Sequence, residues 1–558
     1  MDRRTVALRL AAEVAAPIVI ALLAAGALSV ALDAHGQHQF FYDGDSLVLP
    51  LFQQSLARGE PLQWVMSSQL FLLPELPFYL LCSLVAGGAV KAALVLNAIL
   101  NAVVLSLLLR SVSGRMRWSS AWARLGAPFA ASLLFVAFLL LEVRGAQTNE
   151  SIATFTVLTT YYYGATFVAL AVLALALHVT GGFRTQPRIR SAGYACYAVA
   201  AGLLLGVETL SNPLVVFQFA VPLGLALCIA VLLRAVPWRS AALVLAPLVA
   251  AAVVGYAARF ALGRYLLPGA TSYVHLNQIP ESIRFFSGIA VSFVSTPGGI
   301  AEAAVVVLLL GACVAVLRAA RGTGDVVLPL FVLCAVAVTL VGTVLVGSTA
   351  TRYLGPVFVF PLLILVHPLL WRRVAAVVRV RWPVRAVGAG AAIAVAVAAV
   401  MVAAPAAASL RAVTASPGSP GLSCLENWIG DRSLTGEGSY WAVRALDLYG
   451  TRRVDVLQVD STLGARAWMT DLASFDDRIP SYFIVDAPAR RTQALTELGT
   501  PDRIVDCGVF QIYDYSSTRG EATMTTKLAS SIRYQLTTRG YPDRIEEATR
   551  DRDHDRDR

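Results

Sequence analysis

The sequence predicts a multi-spanning α-helical membrane protein with a small extracytoplasmic α/β domain near its C-terminus. Composition is the first observation behind this prediction: 57% of the 558 residues are hydrophobic and only 14% are charged, whereas soluble domains contain about 25% charged residues. The mean hydropathy of +0.67 agrees with a lipid environment. The other two observations are the length of the apolar runs and the spacing of the arginines between them. An ordinary soluble enzyme is excluded.

Eleven apolar runs have about the 20 residues that a helix needs to cross a bilayer. They cover roughly 10–32, 91–110, 126–143, 162–180, 192–210, 214–233, 240–258, 299–317, 326–346, 353–371 and 386–404. The first run contains Glu13 and no small-residue cleavage site follows it, so we expect it to be retained and not removed as a signal peptide. Residues 1–404 are therefore predicted to form a polytopic transmembrane domain.

Arginines mark one side of the predicted membrane. Of the 45 basic residues only Lys91 and Lys527 are lysine, and the arginines cluster before the first run and after the second, fourth, sixth, eighth and tenth. Since basic residues stay in the cytoplasm, the N-terminus is predicted inside and the chain beyond residue 404 outside. The composition is typical of a GC-rich bacterial genome, which predicts the plasma (inner) membrane. The net charge of +10 then reflects topology, and we expect no nucleic-acid partner.

The predicted outer loops differ greatly in length. Residues 33–90 form a long first outer loop, and residues 259–298 form another long one. Within the first loop, residues 71–87 are apolar, but together with the next run they would be too long for one crossing, and glycines 87 and 88 interrupt them. We expect a helix lying at the outer surface here, followed by a true span from Lys91.

The hydrophobic pattern changes after the eleventh run. Residues 405–422 are rich in Ala, Pro, Gly and Ser and are predicted to be a linker. Residues 423–515 are predicted to be a small α/β domain, and residues 516–558 a disordered charged tail. In the domain we expect strands at Val454–Val459, Ser481–Asp486 and Ile504–Tyr513, and short helices at Gly438–Tyr449 and Ala489–Leu498.

Two of the seven cysteines fall in the predicted outer domain. Cys424 stands at its start and Cys507 in its last predicted strand. Outside the cytoplasm a disulfide between them is favoured, and the alternative is two free thiols. The other five lie in apolar segments, where cysteine behaves as a small hydrophobic residue.

An acidic pair, Asp43 and Asp45, follows the first apolar run in the segment YDGDS at 42–46. Asp-Gly is a common turn former, so a solvated turn is the simplest interpretation. In the functional interpretation one carboxylate is a general base and the other orients it or binds a cation. A divalent cation, Mg²⁺ or Mn²⁺, on this pair is one possibility. A transition metal on His35 and His38 is less favoured.

Arginines near the predicted outer face are candidates for binding a phosphate. Arg352 opens the tenth run beside Tyr353, where a guanidinium would bind a donor phosphate through two hydrogen bonds. Arg259, Arg264 and Arg284 of the second long loop are further candidates. For each of these alone, snorkelling to the lipid headgroups is the simpler role.

Carboxylates, histidines and aromatic rings near the same face are candidates for binding an acceptor or a sugar. Glu208 lies near the outer end of the fifth run, where a charge costs about 3 kcal/mol or more unless it faces a cavity or a partner. Trp64 and Glu75 belong to the first outer loop and His275 to the second long one.

The order of these features resembles the GT-C superfamily of polytopic membrane glycosyltransferases. An acidic pair after the first span is followed by a juxtamembrane helix with proline and then by the second span. The segment RYLGP at 352–356 is similar to the Arg-Tyr-x-x-Pro pattern of many such enzymes, and GSYW at 438–441 resembles a motif of some members. Where the family often has Pro-Pro-Leu, this chain has Pro-Glu-Leu at 74–76.

The resemblance implies an enzyme of cell-envelope or cell-wall biosynthesis that transfers a sugar from a polyprenyl-phosphate donor to an extracytoplasmic glycan, lipid or protein. It also implies that an acidic residue of the first outer loop is the catalytic base. This residue is Asp43 or Asp45, with Asp45 slightly favoured because it is nearer the helical part of the loop. The sequence has no Walker or Rossmann glycine motif, which disfavours a cytoplasmic nucleotide-sugar donor.

Two other classes remain open. A transporter or lipid-linked-sugar flippase would have paired broken helices, internal repeats and acidic residues at mid-membrane, whereas this chain concentrates polar residues in its outer loops. A sugar-polymer ligase or polymerase has a similar many-span form, but usually lacks an outer α/β domain.

Overall fold

The structure, a computed structural model, describes residues 3–32, 36–118, 120–142, 151–180, 191–267, 274–320, 323–377, 384–416, 418–451 and 453–541. Its helices are α1 (Arg3–Ala31), α2 (Val48–Ala57), α3 (Glu75–Val85), α4 (Val90–Gly114), α5 (Ala121–Glu142), α6 (Ile152–Phe155), α7 (Tyr163–Val179), α8 (Ser191–Ser211), α9 (Val221–Leu232), α10 (Trp238–Ala258), α11 (Ile279–Ser295), α12 (Pro297–Ala319), α13 (Val327–Leu345), α14 (Gly355–Val359), α15 (Pro368–Val377), α16 (Val384–Ala415), α17 (Leu422–Ile429), α18 (Tyr440–Tyr449), α19 (Pro488–Glu497) and α20 (Arg519–Thr538). Its strands are β1 (Trp64–Val65), β2 (Leu434–Gly438), β3 (Val454–Gln458), β4 (Thr470–Asp471), β5 (Pro480–Val485), β6 (Arg503–Asp506) and β7 (Gln511–Asp514).

The chain divides into two compact units. The helical unit comprises residues 1–37, 71–260 and 270–413, and the sheet unit comprises residues 38–70, 261–269 and 414–558. The sequence assigns residues 33–90 and 259–298 to loops of the transmembrane domain. In the structure, residues 38–70 of the first predicted loop and only a short piece of the second, 261–267, fold instead with the C-terminal sheet.

Eight helices within the described ranges are long and apolar enough to cross a membrane: Val6–Ala31, Val90–Gly114, Ala121–Glu142, Ala192–Ser211, Trp238–Tyr265, Pro297–Ala319, Val327–Leu345 and Ala394–Ala415. The protein is therefore a multi-spanning α-helical membrane protein, as predicted. The other three of the eleven predicted runs are shorter or bent. Two contain the 17-residue helices Tyr163–Val179 and Val216–Leu232.

The third of these runs, 353–371, is not one straight helix. Its two parts, Thr351–Val366 and Pro368–Val374, meet at an angle of 67°. His367 between them has φ −93° and ψ 121°, the extended conformation that a following proline imposes on its neighbour. Pro368 therefore explains the bend.

The main sheet of the sheet unit has the strand order β3-β2-β5-β7-β6. Strands β2, β3 and β5 are parallel, and β7 is antiparallel to both β5 and β6. Helices α17 and α18 pack on one face through Leu425, Ile429 and Leu446. Helices α19 and α20 pack on the other through Ala494 and Leu528. This arrangement is a small α/β domain of the kind that the sequence predicts.

Two parts of the sheet differ from the prediction. The predicted strand Ile504–Tyr513 is a hairpin of β6 and β7, because Gly508 reverses the chain at φ +82°. Strand β2 was not predicted, since its sequence LTGEG contains residues that are rare in strands. Gly436 is required there because a Cβ would lie 2.1 Å from the ring of Tyr482 on β5.

The predicted linker and tail are partly helical, which corrects both predictions. Helix α16 continues to Ala415, into the segment predicted as a linker from residue 405. Helix α20 occupies the first half of the predicted disordered tail: Thr518 caps it by accepting the Gly520 N–H at 3.0 Å. Met524 and Leu528 are buried against the sheet, and this burial stabilises the helix despite its polar composition. Residues 542–558 lie outside the described residues.

A disulfide joins Cys424 of α17 to Cys507 of the β6–β7 hairpin, with Cα atoms 5.7 Å apart. The predicted disulfide is thus confirmed. It links two elements that are 83 positions apart in the chain and closes one end of the sheet unit.

Candidate functional site

The acidic pair of the first predicted outer loop belongs to the sheet unit. Asp43 follows a π-helical turn, His38–Tyr42, and its backbone N–H donates to the carbonyl of His38 at 2.7 Å. Oδ1 of Asp43 accepts the backbone N–H of Asp45 at 3.0 Å. Asp45 is only 2% exposed, whereas Asp43 is half-buried. The loop is therefore a folded part of the sheet unit, and its two carboxylates have different environments.

Tyr440 holds the inner carboxylate of the pair. Its hydroxyl donates to Oδ1 of Asp45 at 3.0 Å, and both side chains are buried. Gly44 permits this contact, because a Cβ at position 44 would lie 2.5 Å from a carbon of the Tyr440 ring. The glycine between the two aspartates thus makes room for an aromatic ring.

The position of Tyr440 follows from the end of strand β2. Ser439 caps α18 by accepting the N–H of Ala442 at 3.2 Å, and its hydroxyl donates to the carboxylate of Asp486. Ser439 follows β2 and Asp486 follows β5, so both stand at the carboxyl ends of parallel strands. Open α/β sheets bind their ligands at this edge.

Two arginines flank the Tyr440 ring. The guanidinium carbons of Arg444 and Arg466 lie 5.6 and 5.5 Å from its centroid. Burial, and next the charge of Asp45, raises the pKa of the Tyr440 hydroxyl well above its ordinary value, so the hydroxyl keeps its proton and donates to Asp45. Arg444 is buried, and its charge interacts with those of Asp45 and Asp447.

Trp64, predicted as a sugar-binding residue, lies inside the sheet unit. It is 3% exposed, and its indole N–H donates to Ser55 Oγ at 3.0 Å. Ser55 in turn donates to Asp471 Oδ2 at 2.8 Å, and strand β1 pairs antiparallel with β4 through Trp64 and Asp471. These contacts give Trp64 a structural role: it fastens the first outer loop to the C-terminal chain.

Three exposed or half-exposed residues beside Tyr440 are not among the site residues predicted from the sequence. Trp441 is 46% exposed, and Arg466 and Trp468 are half-exposed. The ring of Trp468 lies 4.6 Å from that of Tyr440, and the guanidinium of Arg466 lies 4.5 Å from the Trp468 ring. Only Trp441 had a sequence signal, as part of GSYW. The other two follow β3, and no local pattern marks them.

Arg352 and Tyr353 lie in the helical unit at a cavity. The Arg352 guanidinium carbon is 5.9 Å from the ring centroids of both Tyr162 and Tyr353, and these two rings stack at 5.4 Å. Gln218 donates to the Tyr353 carbonyl at 3.1 Å. The cavity is small and partly open, with about 230 Å³ of non-atom space that includes open solvent. Its lining residues are Arg352, Tyr162, Gln218, Phe155, Thr156, Tyr161, Tyr163, Thr166, Gly355 and Pro356. A guanidinium beside two stacked aromatic rings suits a phosphate or another anion.

Glu75 is buried at the beginning of helix α7. Its Oε1 accepts the N–H of Gly164 at 3.2 Å, which places a carboxylate at the positive end of that helix. A Cβ at position 164 would lie 2.6 and 2.7 Å from the two carboxylate oxygens, so the glycine is required for the contact. Glu75 therefore has a structural role in addition to any role in sugar binding.

Glu208 of α8 is fully buried in the helical unit. Neither of its carboxylate oxygens has a hydrogen-bond partner among the described residues, and Glu75 is close enough to interact with it electrostatically. The structure thus brings two of the predicted residues together. A buried carboxyl group without a partner is expensive in a membrane protein, which favours a functional role.

The remaining candidates are dispersed. Arg259 is buried in the helical unit and donates to the carbonyl of Leu210 at 2.5 Å. Arg264 belongs to the sheet unit, where its guanidinium lies 5.9 and 5.8 Å from the rings of Tyr265 and Tyr541. His275 and Arg284 belong to the helical unit. The backbone N–H of His275 donates to the carbonyl of Val346 at 2.8 Å, and Arg284 is exposed.

The acidic pair does not by itself provide a metal site. Among the described residues no three His, Cys, Asp or Glu side chains are grouped so that they could hold a metal ion. Asp43 and Asp45 supply two carboxylates, and one oxygen of each accepts a hydrogen bond from within the unit. His35, the partner of His38 in the alternative metal site, lies outside the described residues.

The sequence matches no protein-family model and no curated protein.

Proposed function

We propose that the chain is an integral-membrane glycosyltransferase that transfers a sugar from a polyprenyl-phosphate donor to an extracytoplasmic acceptor. The observation that carries this proposal is the acidic pair anchored on Tyr440. A carboxylate that acts as a general base must be held in position and remain accessible. The half-buried Asp43, on a loop fixed by Asp45 and Tyr440, meets both conditions.

The two carboxylates have separate roles in this proposal. Asp45 is buried under Tyr440 and is a positioning residue, whereas Asp43 is the base. This choice differs from the slight sequence preference for Asp45. Asp43 accepts the proton of an acceptor hydroxyl as that oxygen forms a bond to the anomeric carbon. The bond from the anomeric carbon to the phosphate oxygen breaks, and the phosphate leaves with the electron pair.

Taken by itself, the helical unit offers a cation that could bind the phosphate of a lipid-linked donor. Arg352 of the helical unit is our candidate, because its guanidinium is held by two tyrosine rings at a cavity. Arg259 and Arg264 are weaker candidates, since the first is engaged by a backbone carbonyl and the second by two aromatic rings.

The membrane that holds the protein, and the orientation of the chain in it, are also proposed. We place the chain in a bacterial plasma membrane, with its N-terminus in the cytoplasm and the sheet unit outside. The arginine clusters support this orientation, and so does the disulfide, since such bonds persist outside the cytoplasm.

A transfer assay tests the proposal. Purified protein in lipid nanodiscs, which have no closed interior and hold no gradient, is mixed with radiolabelled polyprenyl-phosphate sugars and envelope extract. We expect label to leave the polyprenyl phosphate and to appear in a second product. Absence of transfer with every hexose and pentose donor would contradict a glycosyltransferase.

One observation favours a second function, a transporter or flippase for lipid-linked sugars. Glu75 and Glu208 are buried carboxyl groups inside the helical unit, and such groups are typical of proton-coupled carriers. The same protein in sealed liposomes distinguishes the two functions. A flippase moves the lipid-linked sugar between leaflets without cleaving it, whereas the glycosyltransferase consumes it.

A further inference from the structure

The carboxyl ends of three parallel strands form one edge of the sheet unit. Strand β2 lies between β3 and β5. The chain therefore passes from β2 to β3 on one side of β2 and later to β5 on its other side. Such a reversal of strand order opens a crevice at the carboxyl ends, where α/β proteins bind ligands. Tyr440 and Trp441 follow β2, and Arg466 and Trp468 follow β3.

Trp441 presents a large aromatic surface at this edge. Its side chain is 46% exposed, in contrast to the 3% exposure of Trp64 in the same unit. The Trp441 ring lies 4.9 Å from that of Tyr440 and 6.4 Å from that of Trp468, edge-on in both cases. Its neighbours therefore fix the indole without covering it, which leaves an oriented aromatic face available to a ligand.

Arg466 supplies polar groups beside the exposed indole. Its guanidinium lies over the Trp468 ring at 4.5 Å and 5.5 Å from the Tyr440 centroid. Stacking holds the planar guanidinium, so its N–H donors are oriented before a ligand arrives. We call Trp441, Arg466 and Trp468 together the tryptophan–arginine surface.

The charges around this surface favour a neutral ligand. Two arginines, Arg444 and Arg466, and two aspartates, Asp43 and Asp45, surround Tyr440. Their formal charges cancel. A phosphate or carboxylate ligand would therefore gain little from this surface, whereas a group with an apolar face and several hydroxyls would use the indole, the N–H donors and the half-buried carboxylate together.

We propose that the tryptophan–arginine surface is a subsite for a neutral sugar residue of the acceptor, so that the acceptor is a saccharide and not a lipid or a protein. Trp441 contacts the C–H face of the sugar ring, and Arg466 donates to its hydroxyl oxygens. The role of this saccharide as the acceptor rests on the proposed function, whereas its binding at the surface does not.

Binding to the full-length protein in nanodiscs tests this subsite. The probe is the delipidated, protein-free saccharide fraction of the cell envelope of the encoding organism. The same fraction after periodate oxidation, which destroys vicinal diols, is the negative control. We expect the untreated fraction to bind, and Trp441→Ala and Arg466→Ala each to weaken binding at least ~10-fold, the equivalent of about 1.4 kcal/mol. Trp441→Phe keeps an aromatic face and should weaken it less.

Matched variants in the same unit control for general effects of substitution. Tyr534→Ala removes a 67% exposed aromatic ring, and Arg491→Ala removes an exposed arginine. Both should bind as the wild type does. Hydrogen exchange of β2 and β5 checks that each variant is folded. The proposal is overturned if the untreated fraction does not bind the wild type, if Trp441→Ala binds equally well, or if millimolar inorganic phosphate competes with the saccharide.

A transfer assay run in parallel separates this inference from the proposed function. Transfer of label to a lipid or protein acceptor, with no saccharide bound, would remove the subsite and leave the glycosyltransferase. Saccharide binding that depends on Trp441, with no transfer from any donor, would leave the subsite and remove the glycosyltransferase.

Discussion

The hydroxyl of Tyr440 donates a 3.0 Å hydrogen bond to Oδ1 of Asp45, across 395 positions of sequence. This bond ties the acidic pair of the first outer loop to the helix that follows the first strand of the C-terminal sheet. The pairing of β1 with β4 fastens the same loop a second time. The predicted catalytic loop is therefore part of the sheet unit, and its geometry depends on residues near the other end of the chain.

Gly44→Ala should disturb this contact directly. The new Cβ would lie 2.5 Å from the Tyr440 ring, so the loop must move, at a cost of about 1–3 kcal/mol. We expect faster hydrogen exchange in α18 and reduced transfer. Gly263→Ala is the matched control, because nothing lies within 4 Å of its added Cβ in the same unit. Equal exchange rates for the two variants would show that Gly44 makes no room for Tyr440.

Tyr440→Phe keeps the ring and removes only the hydroxyl. A hydrogen bond to a carboxylate contributes about 1.5–3 kcal/mol, so a positioning role for Asp45 predicts a fall in kcat of roughly 10- to 100-fold. The exposed Tyr534 supplies the control variant Tyr534→Phe. If Tyr440→Phe turned over at the wild-type rate while remaining folded, Asp45 would have no positioning role.

The membrane architecture was largely predictable, because it depends on local composition. Apolar runs predicted eleven spans, and eight described helices are long and apolar enough to be spans. The two cysteines of the predicted outer domain correctly predicted the disulfide. The bend at Pro368 was missed because a hydropathy run reports length and not shape. Helix α20 was missed because its stability comes from Met524 and Leu528 packing on a sheet that is distant in sequence.

The candidate site was predictable only in its acidic residues. Asp43 and Asp45 stand out as a pair in one loop, but Arg466 and Trp468 become neighbours of Tyr440 through the order of parallel strands. Trp64 was predicted to bind a sugar because it lies near the acidic pair in sequence. In the structure it is buried, and its indole N–H donates to Ser55. Sequence spacing does not distinguish an exposed tryptophan from a buried one.

Glu437 makes the stability of the sheet unit depend on pH. It lies on β2, fully buried, and burial raises the pKa of its carboxyl to about 8. The folded unit therefore favours the protonated form. Its free energy of unfolding should fall as the pH rises from about 4.5, the ordinary pKa, to about 8, and stay level outside this range.

Glu437→Gln should remove this pH-dependent decrease in the free energy of unfolding. The variant should match the wild type near pH 4 and exceed it at pH 8–9 by about 3–5 kcal/mol, as measured by hydrogen exchange of β2, β3 and β5. Glu60→Gln, which alters a carboxylate with 34% side-chain exposure in the same unit, should show no such divergence. A difference between Glu437→Gln and the wild type that is constant with pH would contradict the assignment.

Substitutions of Arg352 distinguish phosphate binding from snorkelling to the lipid headgroups. A bidentate contact to the donor phosphate predicts that both Arg352→Lys and Arg352→Ala lower kcat/KM for the lipid-linked donor, by about 1.5–3 kcal/mol, since lysine lacks the planar fork. Arg239, exposed in the same unit, provides the control pair. Wild-type kinetics for both Arg352 variants would show that Arg352 contributes to membrane topology and does not bind the phosphate.

The most direct test of the central claim is the turnover of Asp43→Asn in the nanodisc transfer assay. A general base at Asp43 predicts a fall in kcat of at least ~10²-fold with the fold intact. Asp45→Asn should fall less, because an amide oxygen still accepts the Tyr440 hydroxyl. Asp431→Asn, which alters a carboxylate with 96% side-chain exposure in the sheet unit, should be unaffected. Wild-type turnover by Asp43→Asn with the fold intact would contradict a base at Asp43, and wild-type turnover by Asp45→Asn and the double variant as well would contradict any catalytic role for the pair.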